Sequence, residues 1–100
     1  MIIVSGTFQV DPARHEDAVA VGTKMAEASR AEAGCIAYGF WCDPHEPAIF
    51  RVFEEWASAE ALDSHFAEPH MADFLAALPA LGVANSEISR YEVTGKSKLM

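Results

Sequence analysis

Two runs rich in aromatic and β-branched residues, Cys35 to Cys42 and Ala48 to Trp56, flank the segment Asp43-Pro44-His45-Glu46-Pro47. Neither proline can donate to a strand ladder, and Asp-Pro opens turns, so the segment reverses the chain and the two runs pair as a hairpin. Along the second run, Phe50, Val52, Glu54 and Trp56 point one way, and Ile49, Arg51, Phe53 and Glu55 the other. The first run carries Tyr38 and Phe40 on one face and Trp41 on the opposite one. Strands that are apolar on both faces need both faces covered. This hairpin dictates what the rest of the chain must supply.

The flanking segments supply one cover. Ile2 to Val10 alternates as a strand, with Ile2, Val4, Phe8 and Val10 on one face and Ser5, Thr7 and Gln9 on the other. Asp11-Pro12 gives an N-cap and an N1 proline, and Glu16 and Asp17 follow where the helix dipole is positive. Ala18, Val21, Met25 and Ala28 then recur at helical spacing, and Gly34 ends the helix. Ser58 is an N-cap for a short helix bearing Ala61, Leu62, His65 and Phe66. Pro69 breaks it, Met71, Phe74, Leu75 and Leu78 stripe a third helix, and Pro79 ends that one. Glu87 to Val93 alternates as a fourth strand.

The order is β-α-β-β-α-β with the second helix broken, over a single domain spanning residues 1–100. This is the α+β, ferredoxin-like plan: a four-stranded antiparallel sheet with helices on one face. The bare face, carrying part of the hairpin's aromatics, predicts a homodimer packed sheet to sheet, a dimeric α+β barrel.

Charge narrows the function classes. Seven Lys+Arg against fifteen Asp+Glu give a net charge of −8 and a pI near 4.8. A nucleic-acid partner needs a basic footprint, and an anionic membrane surface disfavours this sign, so neither is expected. The amino terminus lacks a basic n-region, and the apolar stretch from Phe74 to Ala84 is short and holds Pro79, so neither a signal peptide nor a membrane span is read. Cys35 and Cys42 lie seven apart in one strand, on opposite faces and roughly 23 Å apart at about 3.3 Å per residue. They are too distant for a disulfide, and free thiols fit a cytoplasmic setting.

A more specific pattern runs through the middle of the chain. Glu32-Ala33-Gly34-Cys35-Ile36-Ala37-Tyr38 precedes the turn. Glu54-Glu55-Trp56, Ser58-Ala59-Glu60-Ala61-Leu62, His65, His70 and Phe74 follow it. This resembles the antibiotic biosynthesis monooxygenase (ABM) family, including its quinol monooxygenase branch. The discriminating part is Glu-x-Trp followed nine residues later by His. The resemblance implies a pocket in each subunit between helices and sheet. There a quinol or polyphenolic aromatic is oxidised by O2 without flavin, haem or metal. The family also holds haem-degrading enzymes, an isomerase-type enzyme and members without known activity. A non-catalytic ligand-binding or dimerisation module and an isomerase therefore stand as alternatives.

Oxidation without a cofactor makes the substrate the electron donor. It needs a base to deprotonate a phenol, donors to hold the anion, and a dry pocket. On the resemblance, His65 is the candidate catalytic base, or else a helix residue bonded to the sheet for structure. Tyr38 and Trp56 fall near the pocket, as hydrogen-bond donor and aromatic wall, or pack as core aromatics. His70 matches the motif, and its position after Pro69 equally makes it a residue of the third helix's first turn. Phe74 completes the substrate-binding set. Glu54, on the strand face of Trp56, either orients His65 or pairs with Arg51 or Arg90. His15 and His45 are expected in solvent.

No metal is expected, because Asp63, His65, Glu68 and His70 lack the spacing of a ligand set. Haem is disfavoured as well: Ser5, Gly6 and Thr7 stand where the haem-degrading branch has an asparagine, and Ala76, Ala77 and Leu78 where it has a proximal histidine.

Overall fold

A computed structural model describes residues 1–100. Strands β1 (Ile2–Gln9), β2 (Cys35–Cys42), β3 (Ile49–Trp56) and β4 (Ala84–Glu92) form one antiparallel sheet in the order β2-β3-β1-β4. Helices α1 (His15–Arg30), α2 (Ala59–Phe66) and α3 (Pro69–Ala77) complete the ferredoxin-like α+β fold. The hairpin reading holds, with Tyr38 opposite Glu54 and Phe40 opposite Val52.

The inner face buries Ile2, Tyr38, Val52 and Trp56 against Met25, Ala26 and Leu62. A second cluster joins Phe8, Val10 and Phe50 to Ala18 and Leu81. The buried stripe of α1 runs through Ala18, Gly22, Met25, Ala26 and Ser29, rotated from the expected one so that Val21 and Ala28 are only half-buried. Gly22 explains the rotation. A Cβ there would stand 3.2 Å from the Phe40 ring, so its absence lets the helix settle on that aromatic.

Three boundaries differ from the sequence reading. Asp11 does accept from the Ala13 amide at 2.9 Å, but Pro12–Arg14 forms a 3-10 turn and α1 starts only at His15. Helix α1 ends at Arg30, before Gly34. Gly34 serves a close approach instead, because a Cβ there would collide with the Ala61 methyl group of α2. Strand β4 begins at Ala84, where Asn85 takes φ 52° beside a register shift and its side chain donates to Gln9 at 2.7 Å.

A bulge also corrects the cysteines. Cys35 pairs with Trp56 and Ala37 with Glu55, so Ile36 is an extra residue in β2. It reverses the parity, and Cys35 and Cys42 face the same side, opposite Trp56 and Phe50. Both are free thiols. His15 also departs from expectation. Its Nδ1 lies 2.9 Å from the Pro47 carbonyl and its ring packs on Phe50, whereas His45 is exposed.

The outer face is less covered. Ile36, Trp41 and Tyr91 are each more than half exposed, and β4 is exposed along its whole length. No helix is long and apolar enough to cross a membrane.

Candidate functional site

Helices α2 and α3 arch over the sheet because Ser58 caps the first, accepting from the Ala61 amide at 3.1 Å, and Pro69 starts the second. Between them and the inner face lies a cavity of about 230 Å³, and twelve of its fifteen lining residues are hydrophobic. It is smaller than most ligand pockets, which run roughly 300–1,000 Å³. Phe74 stacks on Phe40 along one wall, with ring centroids 5.6 Å apart. Exposed Phe66, Leu75 and Ile88 stand where the cavity meets solvent. The polar side chains on its wall are Glu54, His65, Ser86 and the Tyr38 phenol.

Four of the expected residues, His65, Tyr38, Glu54 and Phe74, therefore line one cavity. Trp56 and His70 do not. Trp56 has no exposed surface and backs the cavity wall, with its ring centroid 4.5 Å from that of His65. Its indole N–H donates to Glu54 Oε1 at 2.9 Å, so it positions wall residues and presents no face to a ligand. His70 lies in the first turn of α3, behind His65, with ring centroids 5.9 Å apart. Glu54 bonds to neither Arg51 nor Arg90; Arg51 reaches Ser5 Oγ on the opposite side of the sheet.

The residue that the sequence reading left without a role is Glu32. Its Oε2 lies 2.7 Å from His65 Nδ1 and 2.7 Å from His70 Nε2. An ionised carboxylate only accepts, so both imidazoles donate to that one oxygen. His65 is then held as the Nδ1–H tautomer, and Nε2 is the ring nitrogen left to the cavity it lines. The trio is graded in burial: the side chains are 1% exposed for His65, 11% for Glu32 and 20% for His70. Glu32 heads the motif that ends in Tyr38, and that was the available signal. Nothing in its spacing pointed to residues 33 and 38 positions downstream.

Three metal-ligating side chains within 4.8 Å of one another call for a test of fit. Ligands on a tetrahedral zinc, at about 2.0–2.1 Å from the metal, stand about 3.3 Å apart. Both contacts to Glu32 are 2.7 Å, a charge-assisted hydrogen-bond distance. In this arrangement the three side chains hydrogen-bond to one another, and Asp63 and Glu68 are not among them.

The cavity also tunes its own acids. Burial pushes the Glu54 carboxyl above its ordinary range, against the pull of the Trp56 hydrogen bond and of His65. Burial, reinforced by Glu54, pushes the Tyr38 phenol far up, so it stays protonated and is a donor. The Cys35 thiol is raised by burial and then by Glu32 and Glu54, which keeps it a poor nucleophile. A histidine held at Nδ1 by a carboxylate, a phenol and a carboxyl that resists ionisation thus line one apolar chamber.

Comparison with known proteins agrees with this architecture. The sequence matches the family described as "Antibiotic biosynthesis monooxygenase" over residues 1–77. An uncharacterised Synechocystis protein, sll1783, is 37% identical over 92 residues, which is 92% of this chain but 63% of that one, so the chain spans less than two thirds of that relative's length. A Deinococcus radiodurans structure described as a candidate antibiotic biosynthesis monooxygenase superposes with TM-score 0.91 at 28% identity, covering 100% of this chain and 99% of that one. Rv0793 from Mycobacterium tuberculosis shares the fold with TM-score 0.86 at 23% identity, covering 97% of this chain and 98% of that one. With the match over residues 1–77, the chain belongs to the antibiotic biosynthesis monooxygenase family.

Proposed function

We propose that this protein is a cofactor-independent monooxygenase that oxidises a quinol or polyphenolic aromatic with O2 in the cavity between helices and sheet. The observation that carries the reading is His65, whose Nδ1 is held by a carboxylate at 2.7 Å while its ring lines an apolar chamber. A phenol O–H gives its proton to Nε2, and the resulting anion is electron-rich enough to pass one electron to O2. The radical and superoxide combine at a ring carbon bearing hydrogen, forming a C–O bond. His65 returns its proton to the peroxide, which breaks its O–O and C–H bonds and leaves a quinone carbonyl and water. One oxygen atom enters the substrate, and the four electrons lost by the substrate are the four gained by O2. Tyr38 donates to a substrate oxygen, the aromatic walls hold the ring, and the apolar lining excludes water.

The working unit in this proposal is a homodimer. The half-exposed Ile36, Trp41 and Tyr91 and the exposed β4 support it, being a surface that a second copy would cover. Sedimentation velocity tests it, and a monomer at micromolar concentration overturns it.

The activity is tested by mixing metal-free protein with a reduced quinol anaerobically, admitting O2, and following quinone absorbance against a protein-free control. A saturable, protein-dependent rate that His65→Ala abolishes, in a variant of unchanged circular dichroism, supports the reading. A rate equal to the control, with stoichiometric binding of aromatic ligands, makes the protein a binding module instead.

A further inference from the structure

The carboxylate of Glu32 is largely buried and touches only two polar side chains, both histidines. A carboxylate so placed calls for a compensating cation, since an unpaired buried charge costs several kcal/mol by about the amounts seen when one partner of an ion pair is removed. One carboxylate balances one positive charge, and two imidazoles compete to carry it. Desolvation decides between them. His65 is 1% exposed and packs against Trp56 and Tyr38, whereas His70 is 20% exposed at the start of α3. A cation costs less where water still reaches it.

We infer that His70 carries the balancing charge of Glu32 at rest, so that His65 stays neutral and serves as the free base of the cavity. Glu32 and His70 are then positioning residues. The carboxylate fixes the His65 tautomer, and His70 keeps Glu32 from drawing a proton onto His65 prematurely. When His65 takes a proton at Nε2, the carboxylate balances the new imidazolium, and His70 releases its own proton from Nδ1 to solvent. The proton count closes: one enters at Nε2 and one leaves at His70. Lys24 of α1 and Asp73 of α3 share a groove with His70, and neither bonds to Glu32, so the groups around the two rings supply it no other cation. Tyr38 faces His65 from β2, Glu54 from β3 and Cys35 lies further along β2, all acids whose ionisation is opposed by burial. Arg30 is engaged elsewhere, donating to the Tyr38 carbonyl at 2.9 Å.

This inference deepens the proposed function, yet its test needs no turnover. Long-range ¹H–¹⁵N correlation spectra of the ligand-free protein at neutral pH report which imidazole nitrogens bear protons. The expected wild-type pattern is a His65 ring with one protonated nitrogen, Nδ1, and a His70 ring protonated on both. In His70→Gln, whose amide still donates to Glu32, the charge is expected to move and the unprotonated-nitrogen signal of His65 to disappear. In Glu32→Gln both rings are expected to be neutral. The wild-type spectrum alone is decisive even if a variant fails to fold: two neutral rings, or a cationic His65, overturns the inference. So does a His65 pattern that is the same in His70→Gln and wild type. If the spectra are as expected but no quinol is oxidised, the charge arrangement stands and the proposed reaction falls. If quinol is oxidised while His65 is cationic at rest, the reverse holds.

Discussion

Glu32 and Glu54 both lie near the His65 ring, and their surroundings differ. Glu54 sits on the cavity wall with one donor, the Trp56 indole, and burial pushes its carboxyl up. Glu32 sits behind the ring with two imidazole donors on a single oxygen. Residue type is therefore a poor guide to role. An apolar wall favours the neutral form of Glu54, whereas Glu32 accepts from two imidazoles, so two carboxyls near one ring stand in contrasting settings. Pushing apart the protonation states of two nearby carboxyls is how a single site sustains acid and base roles together.

The largest test of that contrast is the ring near both. His65→Ala is expected to lower quinol oxidation by about 10²- to 10⁴-fold, the usual contribution of a positioned general base. A loss below tenfold in initial-rate assays would mean that the chamber alone accelerates the reaction. Next is the rear carboxylate. Glu32→Gln keeps the shape but can donate to Nδ1 through its amide, which allows the wrong tautomer. The expected loss in kcat is about tenfold or more, within the roughly 10⁴-fold that a tautomer-fixing carboxylate can carry, with little change in KM. Glu32→Asp should recover part of it. If Glu32→Gln instead raised KM alone, the carboxylate would act on binding and the comparison with Glu54 would fail.

Much of this arrangement could be read from the chain. Period-two alternation placed Phe50, Val52, Glu54 and Trp56 on one face, and that face is the inner one. Helical spacing and the proline at 69 gave the broken helix that roofs the cavity. Depth was not legible. Alternation assigns Glu54 and Trp56 to the same face but cannot show that one reaches the chamber while the other is sealed behind it. The bulge at Ile36 escaped for a related reason: an inserted residue leaves the local composition of a strand unchanged while reversing its parity. The Glu32 network escaped because three separate segments meet there, and no pairwise spacing announces a meeting made by tertiary packing.

A third prediction turns to the front carboxyl. Trp56→Phe keeps an aromatic ring but removes the indole N–H and part of the buried ring area, leaving Glu54 Oε1 without its donor. An orphaned buried acceptor costs about 1–3 kcal/mol, which urea denaturation would resolve. The same change should drive the Glu54 carboxyl further up, because the hydrogen bond that opposed burial is gone. Stability unchanged within a few tenths of a kcal/mol would mean that water reaches Glu54 from the cavity, and the contrast with Glu32 would shrink accordingly.

The finest test is a change of slope rather than of midpoint. Glu54 ionises less readily folded than unfolded, its ordinary value being 4.5. Below pH 4.5 the carboxyl is protonated in both states and its full contribution to stability is present. As pH rises through the window between that value and the raised folded one, the unfolded chain releases its proton first, the folded state binds more protons, and stability is lost. Gln at position 54 cannot titrate but keeps an oxygen for the Trp56 indole. The difference in unfolding free energy between wild type and Glu54→Gln should therefore move against the wild type as pH increases across that window, while every other titrating group cancels in the subtraction. A difference that is flat with pH would place an ionised carboxylate on the cavity wall. Both glutamates would then be anions, and the chamber would hold no acid of its own besides Tyr38.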